Sequence, residues 1–160
     1  MKRLILLLLF ISCNADTPID WVYSLPNPWT LSNDEVTELL PEFHKRFPEF
    51  NDRLKAINIW RIGTPYGIFK LGEERQPDTD PILRIDTSDC TVHVLTSLAF
   101  STSFSWSETR EKMVDIHYKP DINNRKIPTY KSRWHYTSDR IKNNPYTIDI
   151  TESIIQRENM

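Results

Sequence analysis

Cysteine is nearly absent: Cys13 and Cys90 are the two thiols of this 160-residue chain. They lie far apart and form no Cys/His spacing that suits a zinc site. Glycine is scarce, with 3 residues. An excess of positive charge is also missing. Twenty basic residues face 22 acidic ones, and setting aside Lys2 and Arg3 leaves 18 against 22. That balance gives no support to nucleic-acid binding. Beyond the first residues no run is long and apolar enough to cross a membrane. There is no internal repeat or low-complexity tract. What the chain does have is 11 Pro, 5 Trp and 6 Tyr. Rigid turns and large apolar groups exclude disorder by composition.

The chain begins Met1-Lys2-Arg3 and continues with the apolar run from Leu4 to Ile11. A short basic stretch and a short apolar run followed by small residues predict an export signal over residues 1–15. Two processing sites stay open. Cleavage after Ala15 leaves a soluble protein. Alternatively, Phe10-Ile11-Ser12-Cys13 is a loose lipoprotein box with Cys13 as the lipid anchor. The expected location is the periplasm, or the membrane as a lipoprotein, of a bacterium. About 145 residues remain, which suits one domain.

Residues 16–30 read as an extended lead-in that packs aromatic rings on the domain. Residues 31–160 form that domain. Ser32 and Glu35 have capping-box spacing at a helix start, and Pro41 is expected to interrupt or kink that helix. A second helix is predicted from Pro48 through Trp60, and a turn at residues 63–67. Residues 68–71 read as a short strand and residues 82–86 as extended. A helix is predicted from Cys90, with Val92, Leu95, Leu98 and Ala99 as its apolar positions. Another is expected over residues 107–116, capped by Ser107. Loops with short strands, such as residues 147–151, follow from Tyr118.

Either processing route leaves Cys90 unpaired in an oxidising compartment, which suggests a reactive thiol or intermolecular pairing. The bland alternative is a buried, inert cysteine. Asp89 can cap the helix and so places Cys90 in its first turn. Free backbone N–H groups there favour a thiolate, while Asp89 opposes it by like charge.

Three motifs follow in order: Gly63-Thr64-Pro65-Tyr66; Asp86-Thr87-Ser88-Asp89-Cys90-Thr91; and Ser132-Arg133-Trp134-His135-Tyr136-Thr137-Ser138-Asp139, with Asn143-Asn144 beyond. This order resembles the N-acetylmuramoyl-L-alanine amidase-like proteins of the NlpC-related branch of papain-like cysteine hydrolases. The resemblance spans about residues 60–146. It implies an α+β, papain-like fold with a helical N-terminal part and an incomplete antiparallel sheet. It implies hydrolysis of the amide between muramic acid and L-Ala in muramyl-peptide or other cell-wall fragments. Cys90 would attack the carbonyl and a histidine would shuttle the proton. Neither metal nor cofactor is needed.

This chain departs from the family pattern in two ways. Val92-His93-Val94-Leu95 stands where Phe-Val-Glu is usual. No His-x-Gly follows, so the chain reads as the front part of the family domain, and weak activity or none is expected. His135 is then the first substitute base to test. Tyr66, Arg133, Tyr136 and Asp139 are candidate substrate contacts, with an Arg133–Asp139 ion pair as the structural alternative. His44 is expected at the surface, His93 half-buried on its helix, and His117 as a cationic ring at a helix end. The lysines and arginines of residues 119–142 read as solvated surface. A non-catalytic envelope protein that binds wall material, or serves structure alone, is the competing reading.

Overall fold

The structure is a computed structural model that describes residues 17–144 and 146–158. The proposed signal segment and Cys13 lie outside the described residues. Helix α1, Pro18–Ser24, occupies much of the stretch expected to be extended. The reason is local. Thr17 and Asp20 form a capping box and Pro18 sits at the first helical position, where its missing N–H costs nothing. A 3-10 turn, Pro28–Thr30, follows. The aromatic packing is as expected: Trp21 meets Phe43 edge-on at 4.9 Å.

Helix α2, Asn33–Arg46, starts on the Ser32–Glu35 capping box. It runs through Pro41 without interruption, with Leu40 and Phe43 fully buried on either side. Helix α3, Phe50–Trp60, follows. Helix α4, Cys90–Ser101, is the central element, packed against α3 and against α5, Trp106–His117. Its buried positions include Val92, Leu95, Leu98, Ala99 and Phe100. Ser105, not Ser107, caps α5 by accepting from the Glu108 N–H at 3.2 Å. Trp106 is already helical and its N–H is taken by the Thr37 hydroxyl.

Two buried arginines fix α4. Arg53 donates Nε to the Ser101 carbonyl at 2.8 Å, at the helix's C-terminal end. Arg61 donates Nη1 to the His93 carbonyl and the Ser97 hydroxyl, both at 2.7 Å. Burial lowers the Arg61 pKa to about 10, which leaves it charged at neutral pH.

The expected α+β architecture is overturned. Among the described residues there is no β-strand; isolated bridges pair Tyr66 with Ser88, Arg75 with Asp78 and Tyr118 with Arg133. Residues 68–71 and 82–86 form bends and loops rather than strands. Pro65, Pro77 and Pro81 each remove a ladder donor within this stretch, and Phe69 and Glu74 turn the backbone at φ of 54° and 59°. The apolar side chains Leu71, Ile82, Leu83 and Ile85 still reach the core. Gly72 is where this loop closes on itself: a Cβ there would meet the Asp80 carbonyl oxygen at 2.5 Å. Two further helices follow. Helix α6 is Thr137–Asn143 and helix α7 is Thr151–Glu158, so residues 147–151 form no strand.

Candidate active site

The Gly-Thr-Pro-Tyr turn is stitched to the chain leading into α4. Ser88 donates its N–H to the Pro65 carbonyl at 2.8 Å, and Gly67 donates to the Ser88 carbonyl at 3.1 Å. A Cβ on Gly67 would meet the Thr87 hydroxyl at 2.5 Å, so a larger residue there would displace the side chain that donates to the Pro65 carbonyl. Two of the three sequence motifs therefore meet at the start of α4.

Asp89 holds that start. Its Oδ1 accepts the Val92 N–H at 2.8 Å, as the capping reading expected, and its Oδ2 accepts the Phe69 N–H at 3.1 Å. The helix start and the preceding loop thus share one carboxylate. Cys90 follows as the first residue of α4, and it is exposed. The buried alternative does not hold. Its side chain lines a mostly apolar cavity of about 230 Å³ with Val94, Leu95, Leu98, Arg140, Ile141 and Asn144 among the walls.

A second cavity, of about 190 Å³, lies beside the first and is lined by Phe69, Lys70, Asp89, His117, Arg133 and His135, among others. Thr91 and Arg140 line both. His135 therefore borders the neighbouring cavity, while Cys90 borders the first. His135 is exposed, its Nε2 lies 3.0 Å from the Tyr130 carbonyl oxygen, and its ring packs on Tyr130. A larger, open depression of about 920 Å³ between Glu74, Arg110 and Lys126 is not lined by Cys90 or His135.

Arg133 is not paired with Asp139. It donates Nε to Glu73 Oε1 at 2.7 Å and Nη2 to Asp78 Oδ2 at 2.8 Å. The Glu73 side chain is fully buried, so Arg133 is its counter-ion. Asp139 instead accepts the Asn143 amide on its backbone carbonyl. Tyr66 and Tyr136 are 79% and 72% exposed, which leaves both rings open to a ligand.

The remaining histidines sort by burial. His93 is half-buried, as expected. His44 is half-buried rather than at the surface, stacked on Phe104 at 3.9 Å with Nε2 3.0 Å from the Ser103 carbonyl. His117 is buried and is no cation. Burial first, then Arg140, Arg133 and His135, push its pKa down to about 3.

Arg140 went unmarked among the surface cations of residues 119–142, yet it is only 8% exposed. It donates Nη1 to the Trp134 carbonyl at 2.9 Å, and no acid lies within ion-pair distance among the described residues. Burial lowers its pKa, while the charges of Asp89 and Cys90 act to raise it. The position was readable only as one residue past Asp139 in the third motif.

The described chain is thus a small helical domain with one exposed thiol at a helix start, beside a buried guanidinium. It belongs to the N-acetylmuramoyl-L-alanine amidase-like family, whose model matches residues 57–159. It is similar to a crystal structure of a Legionella pneumophila protein assigned to the DUF1460 family, with 28% identity and a TM-score of 0.54. That match covers 66% of this chain and 33% of the Legionella chain, so the similarity spans about a third of that protein's length. No curated protein matches.

Proposed function

We propose that this chain is an exported, amidase-like cysteine hydrolase that acts on muramyl-peptide fragments at the bond between the muramic lactyl group and L-Ala. The observation that carries the reading is the exposed thiol of Cys90 in the first turn of α4, opening on a cavity beside Arg140. Family membership supplies the substrate class. The cell envelope is the location that suits such a substrate, and no described helix is long and apolar enough to cross a membrane.

The chemistry follows from the residues in place. The Cys90 thiolate adds to the lactyl carbonyl. The Cys90 and Thr91 N–H groups lie at the helix start, the part of a helix that lacks intrahelical acceptors, and would steady the oxyanion. Collapse of the adduct expels the L-Ala amine, which takes a proton from an imidazolium, and leaves a thioester. Water then cleaves the thioester to free the muramic acid and restore the thiol. His135 is the imidazole that the third motif supplies. Tyr66 and Tyr136 offer open aromatic faces for a sugar ring.

A second reading, a non-catalytic binder of wall fragments, is favoured by one observation. Cys90 and His135 border different cavities. Incubation with an anhydro-muramyl-L-Ala peptide separates the two. Release of the free peptide by the full chain, lost in Cys90→Ala, supports the hydrolase. Saturable binding without release, retained in Cys90→Ala, supports the binder.

A further inference from the structure

Cys90, Val94 and Leu98 recur every four residues on α4, a spacing that puts the thiol on one helix face with two apolar side chains. All three line the cavity of about 230 Å³, with Leu95 beside them and Ile141 contributed by α6. The polar side chains around that cavity are spent elsewhere. Asn144 donates Nδ2 to the Arg140 carbonyl and accepts the Tyr146 N–H on Oδ1. Thr147 donates its hydroxyl to the Ile141 carbonyl. Arg140 turns Nη1 to the carbonyl of Trp134, a residue of the neighbouring cavity. An apolar occupant therefore gains by leaving water, whereas a polar one gives up hydrogen bonds to water for few in return. Size points the same way. An apolar cavity of about 150 Å³ is enough to take benzene. In the muramyl reaction the carbon beside the attacked carbonyl carries one methyl as its apolar branch, which fills little of the space at Cys90.

We propose that this cavity is an apolar acyl pocket: it takes the branch on the carbon beside the carbonyl that Cys90 attacks, and it accepts acyl compounds whose branch is an isopropyl or a phenyl group in place of the methyl. Val94 and Leu98, on the face of the thiol, set the size of that branch. The inference rests on the hydrolase reading in one respect, that Cys90 is the attacking group.

The test uses the full chain and the p-nitrophenyl esters of acetate, isovalerate and phenylacetate. The Cys90 thiolate adds to the ester carbonyl, p-nitrophenolate leaves with the bonding pair, and a thioester forms on the sulfur. Acylation is read by mass on the Cys90 tryptic peptide, and each rate is divided by that of glutathione with the same ester, which removes the ester's own reactivity. The expected result is a normalised rate about tenfold or more higher for isovalerate and phenylacetate than for acetate, the discrimination that an apolar pocket gives. The rate should saturate at high ester concentration. Leu98→Phe fills the cavity and Val94→Glu brings a charge to it, and each should lower the ratio to acetate severalfold. Val94 is 59% exposed, so Val94→Glu covers the case in which Leu98→Phe does not fold. Normalised rates equal for the three esters, rates that rise without saturation, or an unaltered ratio in folded Val94→Glu would overturn the pocket. The two proposals fail separately. Release of peptide from an anhydro-muramyl-L-Ala substrate with no preference among the esters removes the pocket and keeps the amidase. Ester preference without that release does the reverse.

Discussion

Arg140 sets its guanidinium 3.5 Å from Nδ1 of His117, in the wall shared by the cavity of Cys90 and the cavity of His135. The contact fixes which ring nitrogen of His117 carries the proton. It also places an unpaired cation within electrostatic reach of Cys90 and Asp89.

The guanidinium and the thiol are close enough for their charges to interact. A nearby positive charge favours the thiolate, the reactive form of a cysteine. Arg140→Gln is expected to slow iodoacetamide labelling of Cys90 at neutral pH. Arg140→Lys should recover much of the rate. Labelling followed on the Cys90 tryptic peptide reads the outcome, and an unchanged rate in a folded Arg140→Gln protein counts against the electrostatic role.

His117 makes stability depend on acid. Its folded pKa is pushed down to about 3, against an ordinary value of 6.5. Between these values the unfolded chain binds the proton and the folded chain does not, so unfolding gains as pH falls. Stability is full above pH 6.5 and declines toward pH 3. His44 and His93 are lowered by burial as well and add the same sign. Urea melts of wild type and His117→Asn at pH 5 and pH 7.5 isolate the His117 share. The wild type should lose more stability than the variant on going to pH 5, by about 1–2 kcal/mol if only His117 distinguishes them.

Sequence and structure agree where the signal is local. The Ser32–Glu35 capping box, the Asp89 cap and the apolar spacing of α4 all act within one or two turns, so adjacent residues suffice to reveal them. The Thr17–Asp20 box is equally local, but it sits among prolines and tryptophans that suit an extended chain equally well. The sheet failed for a different reason. Short apolar runs such as residues 82–86 look alike whether they pair in a ladder or pack singly on a core. Prolines at 65, 77 and 81 decide for packing. The partners of Arg133 lie about 55–60 residues away, at Glu73 and Asp78, and no spacing rule reaches them. Arg140 is hidden for the same reason, because its contact with His117 spans 23 residues.

The Arg133–Glu73 pair should show the asymmetry of buried charge. Arg133→Ala leaves the Glu73 carboxylate buried without its counter-ion, and is expected to cost about 3–5 kcal/mol. Adding Glu73→Gln to that variant should restore part of the loss in denaturant melts. Equal costs for the single and double variants would assign Arg133 no pairing role.

Asp89 joins the helix start to the Phe69 loop. Asp89→Ala removes the acceptor for both N–H groups and should destabilise the chain by about 0.5–2 kcal/mol, the range for loss of an N-cap. Asp89→Asn keeps an acceptor oxygen and should lose less. Thermal melts compare the two.

On the proposed function, Cys90 lies open in a groove that receives muramyl peptides. The direct measurement is native-state iodoacetamide labelling of Cys90, with and without saturating muramyl-L-alanyl-D-glutamate. The expected result is labelling of the folded protein, slowed by the fragment in proportion to its occupancy. Labelling that appears only after unfolding, or that proceeds at the same rate with the fragment present, would contradict it.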